Sequence, residues 1–124
     1  MAELFYREDR DRDFFEACEQ VRSEEKNLSV SEIVSKAILH PAKSFYLHKR
    51  EYSSIIRKKG IPPPKSEAKR QLHQEILKRY QEIKENNPKM DIPEITKIIE
   101  CQKAPRFYIS KRRAEDLYYE LLRK

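Results

Sequence analysis

The chain carries an internal repeat. When the sequence is shifted by 62 residues and laid on itself, residues 30–57 align with residues 92–119 without a gap, and 7 of the 28 aligned positions are identical. The shared residues, numbered in the first copy, are Glu32, Ile33, Ala42, Phe45, Tyr46, Lys49 and Arg50. A repeat of this length indicates two copies of one supersecondary unit, so the fold should follow from that unit.

The repeat also predicts the domain organisation. We expect a first repeat unit over residues 1–60, a proline-rich linker over 61–65 and a second repeat unit over 66–124. A chain of about 60 residues buries only about 60% of the surface that it exposes when unfolded. We therefore expect the two units to share one compact domain, in which they are related by a pseudo-twofold axis.

Each repeat unit is predicted to contain three helices. The sequence has one Gly and 7 Pro, and the prolines cluster outside the stretches of helical periodicity. In those stretches apolar residues recur at helical spacing, as Leu72, Ile76 and Tyr80 do. Ser29 and Asp91 each precede a glutamate by three residues, which is the spacing of a capping box at the start of the second helix. The predicted fold class is therefore all-α.

A short extended segment is predicted before the third helix of each unit. Aromatic and branched residues at positions 44–47 and 106–109 favour an extended backbone. Each segment is either a single strand-like link or one strand of a minimal two-stranded antiparallel ribbon across the pseudo-twofold axis. We expect the Phe-Tyr pairs of these segments to be core anchors, and a tyrosine stacked on a nucleic-acid base is the alternative.

The composition argues against catalysis. His40, His48 and His73 have no neighbour at the spacing of a metal site or a catalytic triad, and a single glycine cannot build a phosphate-binding loop. We therefore predict no enzymatic activity, no metal ion or other cofactor, and no small-molecule substrate. Cys18 and Cys101 are expected to be buried thiols in a reducing compartment. No signal segment or membrane-spanning run is apparent, so we expect a cytoplasmic protein without membrane contact.

The net charge of +6 is unevenly distributed along the chain. Residues 1–26 contain 5 basic and 9 acidic residues, whereas residues 36–70 contain 10 basic and 2 acidic residues. A basic block of this contrast is a candidate surface for a polyanion, and a merely solvated helix face is the alternative.

The third predicted helix of each repeat begins with cations. Because the helix dipole favours acidic residues in a first turn, cations there carry a small energetic cost. A feature that breaks a local rule in both copies points to function. The candidate nucleic-acid-binding residues are Lys43, Ser44, His48, Lys49 and Arg50 in the first repeat and Arg106, Ser110, Lys111, Arg112 and Arg113 in the second.

These residues favour a small non-enzymatic DNA-binding protein with two helix-turn-helix-like units, and duplex DNA is the expected partner. Residues at the start of a helix read bases when the helix enters the major groove, and Arg and Lys there meet guanine edges or phosphates. The usual short turn with its glycine is missing. The alternative is a protein-protein interaction or structural adaptor module without nucleic-acid binding, whose partner is another protein or a second copy. Its support is the 7 tyrosines and the mixed charge.

Overall fold

The computed structural model describes the backbone of residues 2–123 and the side chains of residues 7–123. The helices in this range are α1 (Ala2–Glu24), α2 (Val30–Ile38), α3 (Lys49–Lys58), α4 (Glu67–Asn86), α5 (Ile92–Glu100) and α6 (Lys111–Leu122). The predicted all-α class is confirmed.

The starts of α2 and α5 follow the capping signals in the sequence. The Ser29 hydroxyl accepts a hydrogen bond from the Glu32 N–H at 3.2 Å, and the Glu32 carboxylate accepts one from the Ser29 N–H at 3.3 Å. The Asp91 carboxylate likewise accepts from the Glu94 N–H at 3.0 Å. Caps satisfy N–H groups that have no partner within a helix, so they determine where each helix begins. Consequently α2 and α5 begin 62 residues apart, and so do α3 and α6.

The helices pack as two compact units. The terminal unit contains the residues up to Tyr46 together with those from Lys103 onward, and the central unit contains Leu47–Gln102. In the terminal unit α6 contacts α1 and α2, and in the central unit α3 contacts α4 and α5. Each unit therefore combines two helices from one half of the sequence with the third helix of the other half. The division at 1–60, 61–65 and 66–124 concerns the order of the repeats along the sequence and stays a prediction.

The core of the terminal unit is rich in aromatic rings. Phe14 of α1 is fully buried and meets the edge of Phe107 with ring centroids 5.4 Å apart. The ring of Phe45 stacks on that of Tyr108 at 6.1 Å, and the ring of Tyr46 stacks on that of Phe107 at 6.2 Å. Phe45 and Phe107 are buried, whereas the two tyrosines are half-buried. The phenylalanines of the repeated pairs are thus core anchors, with the tyrosines packed against them.

The aromatic segments before α3 and α6 are not strands. Ala42 and Ala104 form an isolated antiparallel bridge, in which each N–H donates to the other carbonyl at 3.0 Å. Regular pairing within residues 2–123 is limited to this bridge, which lies before the segments 44–47 and 106–109. Tyr46 has a φ of 58°, in the left-handed region, which interrupts an extended strand. The Phe107 N–H donates to the carbonyl of Ile38 at 2.9 Å.

The core of the central unit is formed by α3, α4 and α5. Tyr52 of α3, Ile76 of α4 and Ile95 and Ile99 of α5 are each at most 1% exposed. On α4 the predicted apolar face is buried at Leu72 and Ile76 and becomes half-buried towards the end of the helix. The buried side of α3 leaves its opposite side exposed, and that exposed side carries most of the charge of the helix.

Candidate nucleic-acid interface

The two compact units divide the ten candidate residues between them. The terminal unit contains Lys43, Ser44, Arg106, Ser110, Lys111, Arg112 and Arg113, and the central unit contains His48, Lys49 and Arg50. Their side chains fall into three groups: polar groups that bond to backbone, cations that contact other groups of the protein, and exposed cations at helix starts.

Three polar candidates hold the backbone in place. The Ser110 hydroxyl accepts from the Arg113 N–H at 3.2 Å and caps α6. His48 Nδ1 accepts from the Arg50 N–H at 3.1 Å and caps α3. The Ser44 hydroxyl accepts from the Tyr46 N–H at 2.9 Å. These side chains therefore orient the neighbouring cations.

Two of the candidate cations contact other parts of the terminal unit. Lys43 Nζ lies 3.8 Å from the buried Asp13 carboxylate and 4.0 Å from that of Glu16. The Arg106 guanidinium donates to the Phe107 carbonyl at 3.4 Å and lies 5.8 Å from the centre of the Tyr108 ring. A phosphate at either cation would compete with these contacts.

The start of α6 presents three exposed cations, Lys111, Arg112 and Arg113. The first turn of α6 contains no acidic residue, and none of the three forms an ion pair within residues 7–123. The acidic residues further along α6 are Glu115, Asp116 and Glu120. The cationic surface of α6 is therefore confined to its start.

The exposed face of α3 carries cations along the whole helix. Residues four positions apart lie on the same side of a helix, and this face has two such rows. The first row is Lys49, Ser53 and Arg57, and the second is Arg50, Ser54 and Lys58. Each row therefore has a cation at both ends and a hydroxyl in the middle.

A cleft of about 520 Å³ in the central unit is lined by both rows of α3 and by α5. The α5 residues that line it are Pro93 and Thr96, and no acidic residue lines it. The central unit as a whole has 13 basic and 8 acidic residues, a net charge of +5, which leaves the terminal unit with +1. The sequence prediction missed Ser53, Ser54, Arg57, Lys58 and Thr96. The four-residue spacing on α3 was a signal for the first four, but nothing near Thr96 in the sequence links it to α3.

Buried titratable groups lie away from this cationic face. The Tyr46 hydroxyl donates to the Asp13 carboxylate at 2.6 Å, and burial together with this bond raises the pKa of Tyr46. Burial and the nearby charge of Lys69 lower the pKa of His73, whose Nδ1 has no hydrogen-bond partner within the described residues. Neither environment resembles an activated nucleophile with an adjacent base.

The two cysteines differ, which corrects the expectation that both are buried. Cys18 is fully buried on α1, and burial followed by the charge of Glu19 raises the pKa of its thiol to about 12. Cys101 is exposed because it follows the last residue of α5, where the apolar face of the helix has ended. Since the thiolate is the reactive form, Cys18 is an inert thiol at neutral pH.

Metal and membrane binding were examined on the same residues. Among the described side chains, no three His, Cys, Asp or Glu residues are grouped so that they would hold a metal ion. None of the helices in the described chain combines the length and apolar character needed to cross a membrane.

Comparisons with protein-family models, with curated proteins and with solved structures find no match to this chain. The functional argument must therefore come from the site, because fold alone does not define function. Fold and site together define an all-α protein of two three-helix units, one of which has a cleft lined by cations and hydroxyls.

Proposed function

We propose that the chain is a small non-enzymatic DNA-binding protein that contacts phosphates and the major groove through the cationic starts of α3 and α6. The observation that carries this proposal is the exposed Lys-Arg pair that begins both helices, Lys49-Arg50 and Lys111-Arg112. Neither pair forms an ion pair within residues 7–123, so the protein itself does not neutralise these charges. Phosphate contacts supply much of the affinity of such proteins.

The proposed helix-turn-helix-like pairs are not consecutive in the chain. α3 packs within the central unit, where α5 is its neighbour, and α6 packs within the terminal unit, where α2 is its neighbour. In each pair the second helix is the one that begins with cations, as expected of a helix whose first residues contact DNA.

We also propose that the two halves are copies of one three-helix unit. Its support is the offset of 62 residues between the starts of α2 and α5 and between those of α3 and α6. The ring pairs Phe45–Tyr108 and Tyr46–Phe107 exchange under the same offset, as a pseudo-twofold axis requires.

The test is a salt titration of binding to duplex DNA, single-stranded DNA and RNA, measured by fluorescence anisotropy. We expect duplex binding to weaken steeply with salt, because each neutralised phosphate releases counterions. Reversal of charge at Lys111, Arg112 and Arg113 to Glu should weaken binding and flatten the salt dependence.

The matched control reverses three exposed lysines away from the helix starts, Lys26, Lys78 and Lys97, which changes the net charge equally. It should affect the salt slope less than the α6 variant does. An unchanged slope in the α6 variant would remove these cations from the interface, and no duplex binding at low salt would contradict the whole proposal.

One observation supports the alternative of a protein-interaction module. Tyr119 and Leu122, one turn apart on α6, are 48% and 45% exposed. Tyrosine and exposed apolar residues are favoured at protein interfaces. A stable dimer of the chain, which binds no nucleic acid and dissociates when both residues are changed to Ser, would favour this function over DNA binding.

A further inference from the structure

Thr96 occupies a position that needs no hydroxyl for packing. The residue is fully buried in α5, and its Oγ1 has no hydrogen-bond partner within the described residues. A hydroxyl that is buried without a partner loses its hydration and gains nothing in return. The residue 62 positions earlier, Val34 of α2, is also fully buried and has the same shape without the hydroxyl. The hydroxyl of Thr96 therefore calls for an explanation other than the core.

Thr96 is one of the residues that line the cationic cleft of the central unit. The other hydroxyls of the lining belong to Ser53 and Ser54, in the middle of the two α3 rows. Successive residues in a row are about 6 Å apart along the helix axis. An anion over the serines would therefore be within reach of long cationic side chains on both sides, with hydroxyl donors beneath it.

This arrangement is specific to α3. The residues of α6 at the same positions as Ser53 and Ser54 are Glu115 and Asp116. The equivalents of Arg57 and Lys58 are Tyr119 and Glu120. The two helices share only their cationic start, so the cleft is a different feature from the one on which the proposed DNA contact rests.

The size of the cleft indicates a ligand larger than a single phosphate. Its volume of about 520 Å³ lies within the range of small-molecule sites, roughly 300–1,000 Å³. Pro93, in the first turn of α5, and the methylene stems of the lysines and arginines supply apolar surface. The positive end of the α5 dipole lies at the same end of that helix.

We infer that the cleft of the central unit, lined by the two α3 rows, Pro93 and Thr96, binds a phosphate-bearing ligand of nucleotide size. The phosphate accepts hydrogen bonds from the Ser53, Ser54 and Thr96 hydroxyls and is neutralised by the surrounding cations. The remainder of the ligand packs on Pro93 and the side-chain stems. A free nucleotide and a nucleotide within a polynucleotide have this chemistry in common.

Isothermal titration calorimetry on the full chain tests this site. The titrants are ATP, inorganic pyrophosphate, adenosine, and a short single-stranded oligonucleotide with and without a 5′-phosphate. We expect ATP to bind with one site per chain and adenosine not to bind. Binding of ATP identifies a free nucleotide as a ligand, and binding of only the 5′-phosphorylated oligonucleotide identifies a polynucleotide end. If none of the phosphorylated titrants binds, or adenosine binds as tightly as ATP, the inference is wrong.

Thr96→Val is the decisive variant, because valine is the residue of the equivalent position in α2. The free energy of unfolding should stay the same or rise, since a buried unsatisfied hydroxyl is removed. Affinity for the phosphorylated titrant should fall about tenfold or more, as expected for a lost hydrogen bond to a charged group. A stable variant with unchanged affinity would overturn the inference.

A second pair of variants separates the cleft from the proposed DNA contact. Arg57→Gln with Lys58→Gln should weaken binding of the phosphorylated titrant, whereas Lys111→Gln with Arg112→Gln should leave it unchanged. Equal loss in both variants would mean that the titrant binds any surface cation, which overturns the inference. Duplex DNA binding, measured in parallel, can fail or succeed without affecting this comparison.

Discussion

The hydroxyl of Tyr46 donates a hydrogen bond of 2.6 Å to the carboxylate of Asp13, which is only 7% exposed on α1. This bond joins the segment before α3 to the first helix within the terminal unit. Arg12 and Lys43 place their charges near the same carboxylate, at 3.4 and 3.8 Å. The repeated tyrosine of the first copy thus satisfies a buried charge in addition to packing its ring.

Tyr46→Phe should lower the free energy of unfolding by about 1–3 kcal/mol, because the buried carboxylate loses its closest donor while the ring stays in place. Urea unfolding followed by circular dichroism measures this difference. Tyr119→Phe, at a position that is 48% exposed, is the control and should change stability by less than about 0.5 kcal/mol. Equal effects of the two substitutions would show that the Asp13 bond contributes nothing.

The same tyrosine predicts a loss of stability at alkaline pH. Burial and the Asp13 bond raise the pKa of Tyr46 in the folded protein, and burial and a bond to Glu19 raise the pKa of Tyr118. The unfolded chain therefore releases these protons first. The stabilisation is complete below the ordinary tyrosine pKa of about 10 and is lost as pH rises above it.

We expect the free energy of unfolding to fall above about pH 10 with a slope that becomes shallower in Tyr46→Phe. Urea unfolding at several pH values between neutral and alkaline conditions gives the slope. Identical slopes in the wild-type protein and the variant would exclude Tyr46 as a source of the pH dependence.

The two thiols should react at very different rates. In the folded protein, one equivalent of a thiol reagent should react rapidly at the exposed Cys101, and Cys18 should react only when α1 unfolds or separates from its neighbours. Cys101→Ser should abolish the rapid phase. Absorbance at neutral pH with and without denaturant measures both phases, and rapid labelling of two thiols in the native protein would contradict the burial of Cys18.

Local signals were sufficient to predict the helices. The caps Ser29 and Asp91 act on N–H groups within the next few residues, so their effect is legible in the sequence. The buried face of α3, which includes Tyr52 and Ile56, also follows from spacing. Spacing tells which face of a helix is buried but not which helix covers it. The exchange of third helices between the halves was therefore beyond the sequence.

The candidate site was predictable to a similar degree. Cations at a helix start are local features, and Lys49, Arg50 and Lys111–Arg113 are exposed as a solvated charge requires. The roles of His48 and Ser110 as caps were also visible from their positions. Thr96 was not, because it comes 38 residues after Lys58 and matters only through a tertiary contact with the cleft. That its hydroxyl has no partner is a property of the folded protein alone.

The exchanged packing makes a prediction that is specific to each unit. Leu117 of α6 is 2% exposed in the terminal unit, and Ile56 of α3 is 5% exposed in the central unit. Substitution of a buried Leu or Ile by Ala costs about 2–5 kcal/mol, because it removes apolar contacts and leaves a cavity. The loss should appear first in the helices that pack against the altered residue.

Leu117→Ala should therefore reduce amide hydrogen-exchange protection in α1 and α2, and Ile56→Ala should reduce it in α4 and α5. Mass spectrometry of peptides from exchanged protein measures all four helices in one experiment, so each variant is the control for the other. If Leu117→Ala instead reduced protection in α4 and α5, α6 would pack with the helices of its own half of the sequence. That result would contradict the exchange of third helices between the two halves.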